Sequence, residues 1–261
     1  MVPDFSQGYP RCGLRNGSRP ELKSVDAKRS EMTVQDIHRY LDHAVLQPEM
    51  TRQKAIEAIQ LGIDYKVRTV CVRPCDIELC AEMCRGTETE VSCVVAFPHG
   101  CTSSLVKADE ARRYIAAGTN EIDMVVNFGY VRSALWDDVV ADIRAVTDIA
   151  RPAGVLVKVI FETAYLTIPE IRRTTECAIE AEADFVKTST GFGGQGATVE
   201  AVQAMLDTAR GRIKVKPSGG IRDRARAEMF IEMGAERIGN GYSSTEAICA
   251  GAVATSDPDT Y

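Results

Sequence analysis

The chain has 261 residues, 45% hydrophobic and 26% charged, with a net charge of −6. It holds enough apolar material for one large core, and no run approaches the ~20 apolar residues of a membrane-spanning helix. Basic residues are scattered rather than striped, which argues against nucleic acid as the main partner and leaves room for a small anion held locally.

Residues 1–30 mix charge, Pro and Gly without the apolar centre of a signal peptide, and read as a flexible extension of a cytoplasmic protein. TVQDIHRY (33–40) reads as a leading helix, capped by Thr33 with Asp36 three residues on, that covers the bottom of the domain. Apolar or β-branched runs then recur at 40–45, 68–72, 91–97, 121–127, 156–162, 184–189, 212–218 and 236–240. Helical patterns separate them, many ending at the glycine expected after a helix C-terminus. Eight repeated strand–helix units across 31–250 predict an α/β fold, a (β/α)8 TIM barrel whose usual length is ~250 residues. A doubly wound open sheet is the runner-up, because closure leaves no mark in periodicity. Residues 251–261 read as a polar tail, with Tyr261 at its end.

Nine cysteines in a chain of this size suggest free thiols in a reducing compartment. Cys71, Cys75, Cys80 and Cys84 have spacings that match no common zinc knuckle. Cys71 is expected in the barrel core, and His38 and His99 on surface or loops.

Alternate side chains of a strand share a face. Lys158, Ile160 and Glu162 therefore go together, as do Glu121, Asp123 and Val125, then Phe185, Lys187 and Ser189, and Lys214 with Lys216. The complementary set Ile122, Met124 and Val126 is apolar and suits a helix layer. Charges thus fall on the barrel axis, with Asp123, Lys187 and Lys216 toward the C-terminal strand ends where barrel active sites lie. The plainer alternative is a set of structural ion pairs such as Lys158 with Asp123. A nucleophilic lysine must be unprotonated against a free pKa near 10.4, and a second ammonium close by disfavours its charge. Lys216 is placed to do this for Lys187, and Asp123 to manage protons. The combination suggests Schiff-base carbonyl chemistry.

GFGGQG (191–196) fits G-x-G-x-x-G, but no acidic residue ends the next strand, so it reads as a loop whose backbone can approach a ligand closely. PSGGIR (217–222) and GNGYSSTE (239–246) follow the last two strands, the latter with a Ser243–Glu246 capping box. Together they suggest a phosphate cradle around Gly219, Gly220 and Gly241, with plain tight turns as the alternative.

The segments LDHAVLQP, TVCVRP, VVAFPHG, EIDMVVNFGY, KVIFETAYLT, DFVKTSTGF and VKPSGGIR together resemble the 2-deoxyribose-5-phosphate aldolases, class I aldolases on a (β/α)8 barrel. The resemblance runs from about Tyr40 to Ser244. It implies reversible cleavage of 2-deoxyribose 5-phosphate to glyceraldehyde 3-phosphate and acetaldehyde, without metal or organic cofactor. By motif it implies Lys187 as the Schiff-base nucleophile, Lys216 as the neighbour that lowers its pKa and Asp123 as the proton-relay acid/base. It also implies Lys158 as electrostatic support, Asp42 as an orienting group, and Thr190, Gly191, Gly219, Gly220, Gly241 and Ser243 around the substrate. Dimers or tetramers are common in the family. Ala44 stands where the family carries Thr, Gln47 where it carries Lys, and the loop after strand eight is altered, which bears on substrate recognition rather than on the imine machinery. Two other readings compete: a Schiff-base aldolase for another phosphorylated sugar, and a non-catalytic phosphosugar-binding barrel.

Overall fold

The computed structural model describes residues 34–250; the extension 1–30, Thr33, the tail 251–261 and Tyr261 lie outside the described residues. Eight strands alternate with helices: β1 (Leu41–Val45), β2 (Thr69–Val72), β3 (Glu90–Val95), β4 (Glu121–Val125), β5 (Leu156–Ile160), β6 (Phe185–Lys187), β7 (Lys214–Lys216) and β8 (Ile238–Gly241). All pairings are parallel, in the order β7-β6-β5-β4-β3-β2-β1-β8. The two ends of that sheet meet. Glu236 N–H donates to Val215 O (3.1 Å), Gly239 N–H to Pro217 O (2.9 Å), and Ser218 bridges Gly239. The sheet is therefore closed, which decides for the barrel over the open sheet.

The helices are α1 (Arg52–Asp64), α2 (Ile77–Met83), α3 (Ser104–Ala116), α4 (Phe128–Arg132), α5 (Trp136–Ala150), α6 (Ile168–Glu180), α7 (Val199–Ala209), α8 (Arg224–Met233) and α9 (Thr245–Ala250). Their starts are fixed locally: Thr51, Thr198 and Asp223 each accept a first-turn backbone N–H, and Thr167 with Glu170 forms a capping box. Outward strand residues such as Ile122, Met124, Val157, Val159, Val186 and Val215 pack under these helices. On α5, Val139, Ile143 and Val146 are fully buried, each worth about 1.5–3 kcal/mol of apolar transfer.

The leading segment differs from the expected helix. It is 3-10 over Val34–Tyr40 with a break at Asp36 (φ −101°, ψ 32°). It does sit below the strands, because Arg39 Nη1 donates to the carbonyls of Lys66, Val67 and Glu88, where β2 and β3 begin. The short α4, absent from the periodicity reading, is started by Asn127, whose side chain accepts from Tyr130 N–H.

His43 of β1 points outward into a closed polar network. Nε2 donates to Ala58 O (2.8 Å), so Nδ1 accepts from the Thr245 hydroxyl (2.8 Å), which in turn accepts from Asn240 Nδ2 (2.8 Å). Burial pulls the imidazole down to about 4, against the Ala58 hydrogen bond. The unfolded chain, with histidine near 6.5, binds the proton first as pH falls, so native stability drops from about pH 6.5 downward until the folded pKa is passed. Urea unfolding should show a loss of about 2 kcal/mol between pH 7 and pH 5 that is absent in His43→Gln.

Candidate active site

Inward residues of β1, β4, β5, β6, β7 and the Arg237 preceding β8 converge on one buried ionic cluster. Asp123 is its hub. Its Oδ1 accepts from Lys158 Nζ (2.7 Å), and its Oδ2 accepts from both Lys187 Nζ (2.9 Å) and Lys216 Nζ (2.7 Å). Asp42 pairs with Lys216 and with Arg237 Nη1 (2.6 Å), lies 3.4 Å from Lys158 Nζ, and accepts from the Thr69 hydroxyl (2.7 Å). Glu121 completes the lower layer, 2.6 Å from Lys158 Nζ and held by both Arg237 nitrogens (2.8 and 3.1 Å). Below them the Phe185 ring closes the axis, with Arg237 and Lys214 5.2 and 5.1 Å from its centroid. Lys214 shares the face of Lys216 but ends exposed at the barrel bottom, so it is no part of the cluster.

The charge balance is uneven. Within direct ion-pair contact Lys158, Lys187, Lys216 and Arg237 face Asp42, Glu121 and Asp123, four cations to three carboxylates; Arg68 lies 4.0 Å from Glu121 at the lower edge, and Glu162 acts on Lys187 from the mouth. For Asp123, burial favours the neutral acid, but Lys158, Lys187 and Lys216 outweigh it and hold the carboxyl well below its usual range. Burial likewise opposes charge on Asp42, where Arg237, Lys158 and Lys216 win. The lysines diverge. Lys158 is held above the ordinary ammonium range, because Asp123, Asp42 and Glu121 overcome burial. Lys216 is pushed below it by burial, with Lys187 and Lys158 pushing the same way and Asp123 and Asp42 opposing. One amine is thus locked as a cation while its neighbour is biased toward losing a proton.

Outside the barrel a second buried ion pair fixes the strand that carries Asp123. Lys107 of α3 donates to Asp142 of α5 (2.6 Å) and to Val125 O (2.8 Å), and the same Asp142 oxygen accepts from Asn127 N–H (3.0 Å). The C-terminal end of β4 is pinned from both sides.

Around the mouth, the expected residues part ways. Thr190 is buried and its hydroxyl is taken by Glu162, whose carboxylate also faces Thr190 N–H. Strand alternation would put Glu162 beside Lys158, but β5 ends at Ile160 and Glu162 adopts left-handed backbone (φ 54°), which turns it toward β6. Burial raises its carboxyl, with the Thr190 hydrogen bonds and Lys187 opposing. Gly191 (φ 88°), Gly219 (φ 85°) and Gly220 (φ 72°) use conformations that suit glycine, and the loops after β6 and β7 touch where Gly196 meets Gly219. Gly241 is buried at the end of β8. Ser243 lies exposed in a 3-10 turn, and its capping box with Glu246 does not form; Thr245 of that segment instead serves His43. A Cβ on Gly196 would overlap the Gly219 carbonyl oxygen, a backbone atom that cannot swing away. Gly196→Ala should therefore force the two loops apart, lowering stability by about 1–3 kcal/mol in urea unfolding.

Ala44, Leu46, Cys71 and Val94 form a small apolar cluster at the mouth with Phe97 packed on it. Toward the mouth the interior is apolar along β1–β3, whereas lower down Asp42 of β1, with Thr69 of β2 bonded to it, belongs to the charged cluster built mainly from β4–β7 and Arg237. Beyond it, residues including Leu46, Val94, Phe97 and Phe192 line a cavity of about 420 Å³. Ala44, in place of a hydroxyl, belongs to this apolar side. Among the described residues the cysteines are free, and no three His, Cys, Asp or Glu gather as metal ligands.

Alternation places Glu162 on the inward face only as a neighbour of Lys158, and the sequence does not single out Arg237 or Ser218. Arg237 precedes a glycine-rich strand too short to show alternation, and Glu162 carries a backbone turn that no period encodes. Asp123, Lys187, Lys216, Lys158 and Asp42 do come together; Ser243 does not join them.

A parallel barrel with two lysine amines on one carboxylate at its C-terminal end defines an enzyme of the barrel-aldolase class. The sequence matches the family described as DeoC/LacD family aldolase over residues 37–251, and the chain belongs to that family. It is 42% identical over 212 residues to a deoxyribose-phosphate aldolase of Natranaerobius thermophilus, covering 81% of this chain and 96% of that protein. It is 45% identical to deoxyribose-phosphate aldolase 1 of Bacillus licheniformis, covering 78% and 91%. Among solved structures, the tetrameric deoxyribose phosphate aldolase of Aeropyrum pernix superposes with a TM-score of 0.77 at 26% identity, covering 84% of this chain and 92% of that one.

Proposed function

We propose that this enzyme reversibly cleaves 2-deoxy-D-ribose 5-phosphate into D-glyceraldehyde 3-phosphate and acetaldehyde through an imine on Lys187. The observation that carries the reading is the shared Asp123 Oδ2, within 2.9 Å of Lys187 Nζ and 2.7 Å of Lys216 Nζ. A proton can pass between the amines through that oxygen, and the excess of cations together with the burial of Lys216 favours shedding one.

The Lys187 lone pair adds to C1 of the open-chain sugar, and loss of water gives an iminium. The C3 hydroxyl gives up its proton, the C2–C3 bond breaks, and its electron pair flows into the iminium as an enamine while C3 becomes the aldehyde of the first product. Protonation at C2 and hydrolysis release acetaldehyde. An arginine could not do this, since its guanidinium keeps its proton. Asp123 and Lys216 handle the protons, Lys158 fixes Asp123 Oδ1, and Asp42 orients Lys216.

Gly191, Gly219, Gly220, Gly241, Ser243 and the Thr190 backbone are the candidates for substrate contacts, with the phosphate at the loops after β7 and β8. Assembly as a dimer or tetramer is supported by the tetrameric Aeropyrum relative. A cytoplasmic site accords with the free thiols and with the lack of any described helix long and apolar enough to cross a membrane. The test is incubation with acetaldehyde and borohydride, followed by peptide mapping, alongside a deoxyribose 5-phosphate cleavage assay. A reduced ethyl group on Lys187 with aldehyde release is expected. Cleavage without an adduct, or an adduct elsewhere, overturns the mechanism.

A further inference from the structure

Two buried hydroxyls at the barrel mouth have no task in the chemistry above. Ser189 lies two residues beyond Lys187, and Ser218 two beyond Lys216; both are 0% exposed, and neither Oγ has a hydrogen-bond partner among the described residues. Their neighbours are committed elsewhere. The Thr188 hydroxyl donates to Ser218 O (3.0 Å) and accepts from Ser218 N–H (2.9 Å), while the Thr190 hydroxyl goes to Glu162. Thr188 and Thr190 thus turn toward the adjacent strands, which leaves Ser189 on the face of Lys187.

Ser218 is placed more directly. Gly239 pairs in register with the inward-facing Asp42, so its missing side chain would project into the barrel. That space is occupied by Ser218 Oγ, with Lys216 Cε 3.1 Å from where the Cβ would stand. The Ser218 hydroxyl therefore lies inside the barrel, against the alkyl chain of Lys216. A buried hydroxyl without a partner costs about 1–3 kcal/mol, a cost that alanine would not carry.

We propose that Ser189 and Ser218 form a paired hydroxyl site for the oxygen on C1 of the substrate, a proposal that rests on the imine reading. As Lys187 Nζ bonds to C1, the carbonyl π pair moves onto that oxygen, which takes a proton from the Asp123–Lys216 couple. The adduct nitrogen, left as an ammonium by the attack, returns one of its protons to the couple, which delivers it to the new hydroxyl; the C1–O bond then breaks with its electron pair leaving on water, while the freed nitrogen lone pair closes the C=N bond. The serine hydroxyls donate hydrogen bonds to the oxygen throughout and keep their own protons. In hydrolysis the same hydroxyls hold the incoming water. Donors aimed at an oxygen where charge develops act where electrostatic catalysis is strongest.

The experiment compares wild type, Ser218→Ala and Ser189→Ala in the initial rate of borohydride trapping with acetaldehyde, in kcat and KM for deoxyribose 5-phosphate, and in urea unfolding. Each alanine should slow trapping and lower kcat by about 10-fold or more, with KM little changed and stability equal or higher. Wild-type trapping rates in both folded variants would overturn this proposal and leave the imine reading intact. Failure of both variants to fold would assign the hydroxyls to structure and overturn it too. If wild type itself is never labelled, the imine reading falls and takes this proposal with it.

Discussion

Lys187→Met is expected to lower kcat by about 10⁴-fold or more and to abolish borohydride labelling, while leaving the protein folded. Activity falls because nothing else at that position can form the C–N bond. The stability expectation is the more discriminating half. Methionine keeps most of the side-chain length, and its loss of charge removes the cation in excess. Lys158, Lys216 and Arg237 then face Asp42, Glu121 and Asp123 in balance. Removing one partner of a buried pair is costly when it strands an opposite charge, but Asp123 keeps Lys158 and Lys216. Urea unfolding should therefore change by less than ~1 kcal/mol or show a gain. A barrel that used Lys187 only as a structural charge predicts the reverse, lost stability with no catalytic change. A variant that keeps wild-type turnover, or that unfolds at much lower urea with chemistry unchanged, would favour that alternative.

The strand pattern was readable because a barrel imposes two local signals that survive in one dimension. The outer face must be apolar at every second residue, as in Ile122 and Met124, and each strand must be followed by a helix long enough to return. Charges on the opposite parity, Asp123, Lys158 and Lys187, could then be assigned to the axis. What failed to show was set by contacts across strands. Closure depends on Glu236, Gly239 and Ser218 meeting residues on neighbouring chain segments. Arg237 matters because it lies within reach of both Asp42 and Glu121, and nothing in ERIGN announces it. Lys214 has the right parity and the wrong height: it lies one layer down, where the Phe185 ring fills the axis and the lysine ends in solvent beside it. Parity tells which side of a strand a residue occupies, whereas depth along the barrel follows from the stagger between strands. The Ser243 capping motif misled for a related reason. Thr245, the first residue of the helix, is taken by tertiary partners, His43 and Asn240, a demand that local spacing does not encode.

Asp123→Asn is expected to damage both stability and turnover. The carboxylate is fully buried and accepts from three ammonium groups. With it gone, Lys158, Lys187, Lys216 and Arg237 face only Asp42 and Glu121, and an unpaired buried charge costs about 3–5 kcal/mol. That is a large share of the ~5–15 kcal/mol available to a folded domain, so the variant should melt well below wild type. Turnover should fall by about 10²–10⁴-fold, since an amide cannot carry protons between the amines. The pH dependence separates this cause from a packing defect. In wild type the depressed carboxyl of Asp123 contributes stability above its unfolded pKa near 3.9, lost as pH falls through the lower folded value. In the variant the amines lose their counter-charge: Lys216, already below the ordinary ammonium range, drops further and Lys158 loses part of what holds it above, so stability is regained as pH rises toward 10.4. The wild-type-minus-variant difference should thus be greatest near neutrality and narrow toward pH 10, where the stranded amines can discharge. A difference that stays constant from pH 5 to pH 10 would mean that Asp123 acts by shape and hydrogen bonding rather than as the counter-ion of the lysines.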